Sequence, residues 1–269
     1  MTEAEQRARA LEPTVRTAMQ KVVELRKGPD FEIFTKDDES PVTSADFWAN
    51  EFILGKMSEL FPGERMIGEE SDDKSYAPGT QLLWYVDPID GTKNFISGHN
   101  PFHILIGLCI DGEPALGMCA YPTTGDIIVG GKGFPAQTWT RDGNVLPLKQ
   151  APNWSETLIH PITLKGFSEH SRKMLYSVDG LAKADPVFRH PSMMGLAFGI
   201  SVGYMDHRTI HWWDLCGPSA IMRSLGYEVG KTLDNVCAMN DGSLNTGRFH
   251  CLPKGVPMGV KKLLYHPEA

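Results

Sequence analysis

The sequence predicts a mixed α+β or α/β protein of two tightly packed lobes, and three textures along its 269 residues lead there. Apolar residues recur every three or four positions near the N-terminus, as a helix facing a core requires. Short apolar runs separated by turn residues fill the middle of the chain, and strand-like and helix-like segments alternate from about residue 151. We therefore divide the chain into a first lobe over 1–150 and a second over 151–269. No internal repeat or low-complexity linker separates the two, so close packing is expected.

Taken in order, "TEAEQRARALEPTVRTAMQKVVEL" opens with Thr2 and Glu5 in capping-box spacing, and Leu11, Val15, Met19 and Val22 form its apolar face. Pro13 kinks this helix or marks its real beginning, and Gly28-Pro29 ends it. A second helix is expected from Ser44 to Leu60, stopped by Pro62-Gly63. "RMIGEE" and "LLWYVDP" read as strands ending in acidic residues. "HILIGLCI", "PALGMCAYP" and "GDIIVGG" read as antiparallel strands, with an Asp-Gly hairpin signal in "TWTRDGNVLPL". In the second lobe, "MMGLAFGISVG" reads as a buried helix. A further helix is expected to begin at Asp214 and end at Gly226.

The formal net charge of −7 and the absence of Lys/Arg-rich runs argue against binding nucleic acid polymers, whose phosphate backbones demand a basic field. No run of eighteen apolar residues suggests a membrane span, and the charged N-terminus lacks a signal core, so we expect a cytoplasmic protein. The five cysteines have no zinc-ligand spacing and read as buried free thiols.

The stretch "LLWYVDPIDGTKNF" raises the functional question, because a buried strand delivers Asp87 and Asp90 close together. Two carboxylates ~4 Å apart at an effective dielectric of ~20 repel by roughly 4 kcal/mol. Two other predicted strand ends or helix starts also present carboxylates, Glu69 and Glu70 in "IGEES" and Asp214 in "HWWDLCG". Each has a plain structural reading: a solvated loop for Glu69-Glu70, a turn at Asp90-Gly91, an N-cap at Asp214. Together they converge where strands end, the usual ligand edge of layered α/β architecture. Oxygen donors without His or Cys nearby suit Mg²⁺ or Mn²⁺ rather than zinc. Gly91, Thr92 and Lys93 could then present backbone N–H groups to a phosphate. An EF-hand fails on spacing, because Ile89, Gly91 and Gly98 stand where ligands belong. No Walker loop exists, and "GGKGF" reads as a surface turn.

With "VTSAD" at 42–46, "GEES" at 68–71, "DPIDGTKNF" at 87–95 and "WDLCG" at 213–217, the chain resembles the metal-dependent, lithium-sensitive phosphatases typified by inositol monophosphatase. The resemblance implies a layered αβαβα fold of the sugar-phosphatase kind and Mg²⁺-dependent hydrolysis of a small phosphorylated metabolite, with no covalent intermediate. It implies two or three ions, with Mn²⁺ a possible substitute, and a homodimer. By the same resemblance, Glu69, Asp87 and the Ile89 carbonyl would hold one ion, and Asp87, Asp90 and Asp214 a second. Thr92, oriented by Asp46, would activate water together with Glu69. Asp90, Gly91, Thr92, Ser192 and Asp214 would contact substrate.

The substrate is less determined. The turn "HPSMMG" keeps only Ser192 of the Gly-Ser-Ala-like pattern of inositol-directed members, and His207 stands where an acidic residue is expected seven before Asp214. Lys93 is common in the 3′(2′),5′-bisphosphate nucleotidase and histidinol-phosphatase branches, which remain alternatives. Arg189, His207 and Arg208 could contact a second phosphate or an acidic leaving group, although each reads more readily as a plain surface charge. A non-catalytic binding relative is the reading from another class, and the intact acidic set argues against it.

Overall fold

A computed structural model of the chain describes residues 1–75, 80–99, 101–156, 159–178, 180–183, 193–230, 245–246 and 248–267. Two helices open it, α1 (Glu3–Leu25) and α2 (Ser44–Leu60), with a short antiparallel hairpin between them, β1 (Ile33–Thr35) and β2 (Pro41–Thr43). The Thr2 hydroxyl caps α1 by accepting the Glu5 N–H, and the expected face, Leu11, Val15, Met19 and Val22, is buried. Pro13 neither starts nor ends this helix; α1 runs through it and forgoes the hydrogen bond that an N–H at that position would make. Thr43 and Asp46 form a reciprocal capping box on α2, which fixes Asp46 at the end of the helix nearest the strands.

The first sheet has seven strands: β3 (Arg65–Gly68), β4 (Leu82–Asp90), β5 (His103–Ile110), β6 (Glu113–Tyr121), β7 (Asp126–Gly131), β8 (Phe134–Trp139) and β9 (Val145–Pro147), hydrogen-bonded in that order. β3 runs parallel to β4 and every later pair is antiparallel. "GGKGF" supplies the turn from β7 to β8, as expected. Outside the bulges, strand residues alternate between two cores. Trp84, Val86, Ile104, Ile106, Leu116 and Met118 pack under α1 and α2, whereas Leu83, Tyr85, Leu105 and Cys119 face the other way.

On that second face lies α5 (Trp212–Ser224), preceded by β13 (Ile210–His211), which pairs with β15 (Asn245–Thr246). Beyond it is a five-stranded sheet in the order β11 (Leu181–Lys183), β10 (His160–Lys165), β12 (Gly203–Asp206), β16 (Phe249–Leu252), β14 (Glu228–Gly230). Tyr204, Val229, Phe249 and Cys251 from this sheet share one core with Trp212, Cys216 and Ile221 of α5. Ile162, Leu164 and Met205 pack instead with Leu175 of α4 (Glu169–Leu175) and Leu264 of α6 (Met258–Tyr265). The layers are therefore helix, sheet, helix, sheet, helix. Cys109, Cys119, Cys216 and Cys251 are buried free thiols, and Cys237 lies outside the described residues.

Two expectations need correction. "MMGLAFGISVG" forms only a 3₁₀ turn at Met194–Leu196, because Gly199 takes φ +69° and the Ile200 N–H returns to the Gly195 carbonyl, closing the segment as a loop. The helix expected to begin at Asp214 begins at Trp212. Asp214 is its third residue, and His211 occupies the cap.

α5 approaches the first sheet through glycine. A Cβ on Gly117 would overlap the Gly217 carbonyl, and one on Gly107 would overlap the Gly217 N–H. This contact draws the start of α5, and Asp214 with it, toward the ends of β4 and β5.

Candidate active site

Side chains three apart on a strand point to opposite faces, so Asp87 and Asp90 on regular β4 would diverge. They do not, because the β4–β5 register shifts between them. Asp87 pairs with Leu105 and Asp90 with His103, so β4 advances three residues while β5 advances two. The extra residue is a β-bulge, and it returns Asp90 to the face that Asp87 occupies. Asp214 descends onto this face from the first turn of α5. Oxygens of Asp87, Asp90 and Asp214 all lie within 4.8 Å of one another.

The electrostatics of the trio are those of buried, mutually repelling carboxylates. Asp87 is 2% exposed. Burial, followed by the charges of Glu69, Asp90 and Asp214, pushes its carboxyl well above the usual range. Asp214 is pushed up to about 7 by burial first and then by Asp90 and Glu69, although the His211 N–H donates to it at 3.3 Å. The Ile89 N–H donates to Asp87 at 3.0 Å, and the His103 imidazole stands 3.3 Å from Asp90. No lysine or arginine pairs with any of the three among the described residues. An all-oxygen donor set with this uncompensated charge fits a hard divalent cation.

Glu69 follows β3, its N–H donating to the Val86 carbonyl at 2.9 Å, and its charge acts on both Asp87 and Asp214. Its carboxylate accepts from the Lys36 ammonium at 2.8 Å, and Glu70 accepts from the same ammonium at 2.6 Å. Burial alone would lower the Lys36 pKa, but these hydrogen bonds outweigh it and raise it. The Glu70 side chain is 5% exposed and held by Lys36. Gly68 is required just before them, since a Cβ there would overlap the Asn50 side-chain oxygen.

Thr92 begins α3 (Thr92–Ile96) after Gly91, whose φ of +90° turns the chain sharply out of β4. The Thr92 hydroxyl lies 3.1 Å from the Ile89 carbonyl and 3.4 Å from an Asp46 oxygen. The other Asp46 oxygen accepts the Thr43 N–H and hydroxyl. Burial raises Asp46 to about 6 against those hydrogen bonds. Of the residues anticipated from sequence, Asp46, Glu69, Asp87, Ile89, Asp90, Gly91, Thr92 and Asp214 thus gather at one sheet edge, while Ser192 lies outside the described residues. Sequence reasoning missed Lys36 and His103. Lys36 sits on a loop with no motif around it. His103 is buried against Asp90 and edge-on to Tyr121.

Fold and site together define a layered αβαβα protein built around a centre of converging carboxylates. The match to known proteins is specific: residues 3–252 match the inositol monophosphatase family, and the chain belongs to it. The chloroplastic bifunctional phosphatase IMPL2 of Arabidopsis thaliana is 32% identical over 143 residues, covering 53% of this chain and 40% of the relative. The histidinol-phosphatase of Chlorobaculum parvum is 36% identical over 105 residues, covering 39% and 40%. The chain thus spans about two fifths of the length of these two relatives. The fructose-1,6-bisphosphatase/inositol-1-monophosphatase of Aquifex aeolicus is 26% identical over 202 residues, covering 71% and 72%. A staphylococcal inositol monophosphatase-1 superposes with a TM-score of 0.79 at 17% identity, covering 98% of this chain and 95% of that one, and so shares the fold.

Proposed function

We propose that the chain is a Mg²⁺-dependent phosphomonoesterase acting on a small phosphorylated metabolite. The observation that carries this reading is the bulge in β4, which brings Asp87 and Asp90 to one face beside Asp214. Asp87, Asp90 and Asp214 would hold one ion, and Glu69, Asp87 and the Ile89 carbonyl another, with Mn²⁺ a possible substitute. A third, weaker ion would lean on Glu69. Ions held by these residues would supply a lowered water pKa and charge neutralisation at the leaving oxygen. A solved IMPase/NADP phosphatase of the same fold was crystallised with Mg²⁺ and phosphate, which supports the choice of metal.

The protein's own groups have separable tasks. Gly91, Thr92 and Lys93 would offer backbone N–H groups to the phosphate, and Ser192 would meet the alcohol half. The Thr92 hydroxyl, positioned by Asp46, orients the attacking water, and Glu69 accepts its proton. Lys36 holds Glu69 in place through the ammonium it shares with Glu70. No nucleophilic side chain is needed, because phosphoryl transfer is governed by positioning and charge neutralisation. A cytoplasmic homodimer whose lobes meet near residue 150 and whose activity lithium inhibits is the accompanying expectation. No helix among the described residues is long and apolar enough to cross a membrane.

The test is inorganic phosphate release at saturating Mg²⁺, with and without lithium. The substrates are inositol-1-phosphate, a nucleoside 3′,5′-bisphosphate, histidinol phosphate, fructose-1,6-bisphosphate and glycerol phosphate. Metal-dependent turnover of at least one is expected. Silence on all of them with Mg²⁺ bound would favour the binding-only relative.

A further inference from the structure

A cavity of about 360 Å³ opens beside the acidic centre, with Asp90 and Asp214 among its walls. Leu105, Met193, Ile210, Leu215 and Pro218 also line it. A substrate hydroxyl buried here without a partner costs more than an ordinary hydrogen bond returns. The polar side chains of the lining are mostly committed already. Asn94 donates to the Pro101 carbonyl at 3.0 Å, and the Tyr204 hydroxyl donates to Asp206 at 2.6 Å.

Arg208 is the exception. It is the lysine-or-arginine cation of this lining among the described residues. Its Nε and Nη2 donate to the two oxygens of Asp206 at 3.0 and 2.7 Å, a planar fork that fixes the guanidinium. Asp206 is fully buried and also takes the Arg208 backbone N–H at 2.9 Å. Gly166 closes over the stem, since a Cβ there would stand 2.8 Å from Arg208 Cγ. The side chain is nevertheless 55% exposed, and Nη1 has no partner among the described residues. Neutralising Asp206 accounts for the fork. It does not account for a rigid, half-exposed guanidinium that faces the same cavity as Asp90 and Asp214 with donors left over.

We propose that Arg208 is a specificity-determining residue, anchoring a second anionic group, phosphate or carboxylate, on the alcohol half of the substrate. The proposal rests on the phosphomonoesterase reading and narrows it. The favoured substrate carries its second anion toward Arg208. Unsubstituted polyol phosphates and cationic leaving groups are disfavoured.

The experiment measures phosphate release by the Mg²⁺-loaded full chain in two matched pairs. For the carboxylate arm these are 4-carboxyphenyl phosphate and its neutral near-isostere 4-carbamoylphenyl phosphate. For the phosphate arm they are a nucleoside 3′,5′-bisphosphate and the corresponding 3′-monophosphate. The wild-type chain is expected to prefer the doubly anionic member in one arm by roughly tenfold or more in kcat/KM, mainly through KM. Arg208→Met should erase the preference, and Arg208→Lys should retain part of it, because the charge stays and the fork is lost. Arg208→Met alone strands Asp206, so the Asp206→Asn/Arg208→Met double variant provides the same comparison without a buried unpaired carboxylate. A wild-type ratio near one in both arms, or a preference that survives in the double variant, overturns the proposal. No phosphate from any of the four compounds overturns the phosphatase reading, and this proposal with it.

Discussion

Gly217→Ala sets two physical effects of opposite sign against each other. Gly217 lies inside α5, three residues after Asp214, and alanine is the better helix former by about 1 kcal/mol. Considered as a helix alone, the variant is stabilised. Packing says otherwise. The new Cβ would lie 2.5 Å from the Ile106 carbonyl oxygen, and an ordinary contact begins at 3.4 Å, so α5 must recede by about 0.9 Å. Overpacking of this kind costs about 1–3 kcal/mol, which exceeds the helix gain over most of its range. The receding helix carries Asp214 away from Asp87 and Asp90. Misplacement of a reacting constellation by about 1 Å costs on the order of a hundredfold in rate. The assay pairs thermal unfolding with phosphate release over a Mg²⁺ titration. The melting temperature should fall by a few degrees, the Mg²⁺ concentration for half-maximal rate should rise, and kcat should drop. A higher melting temperature with unchanged Mg²⁺ dependence would refute the claim that this contact positions the acidic centre.

Thr92→Val removes the hydroxyl between Ile89 and Asp46 but keeps the side-chain shape; turnover should fall by about a hundredfold or more while stability changes by no more than about 1 kcal/mol, checked by steady-state rates and chemical denaturation. His250 is fully buried and bonded to the Tyr265 hydroxyl at 2.6 Å, and burial first, then the Lys261 charge, lowers it to about 3. Its neutral form belongs to the fold. The stability tied to it is complete above the unfolded value of ~6.5 and is lost as pH falls toward the folded value, by about 2 kcal/mol at pH 5. Denaturation of His250→Asn across pH 5 to 7 should show a correspondingly shallower acid decline than the wild type.

Much of this architecture can be read locally. The bounds of α2 at Ser44 and Leu60 follow from a capping box and a Pro-Gly stop, and the middle strands follow from turn residues between apolar runs. The convergence of Asp87, Asp90 and Asp214 was also legible, since Asp87 and Asp90 lie in the last residues of β4 and Asp214 in the first turn of α5. What made Asp87 and Asp90 share a face was not, because a bulge is a property of two paired strands and β4 alone carries no sign of it. The approach of α5 escaped notice for a similar reason. Gly107, Gly117 and Gly217 are far apart in sequence and acquire meaning only when the helix lies across the sheet. Periodicity misled at "MMGLAFGISVG", where apolar composition suggested a helix while Gly195 and Gly199 allowed a tight turn. Lys36 was invisible because its partners, Glu69 and Glu70, arrive from the distant turn after β3.

Calorimetric titration of Mg²⁺ into the wild-type chain and into Asp87→Asn tests the central claim most directly. Asp87 is the most buried of the three aspartates and is proposed to serve two ions at once. Saturable binding to the wild type, weakened at least tenfold in Asp87→Asn together with loss of phosphate release, is the predicted result. Equal binding isotherms for the two proteins would contradict the account, because the β4 bulge would then have gathered these carboxylates for something other than a cation.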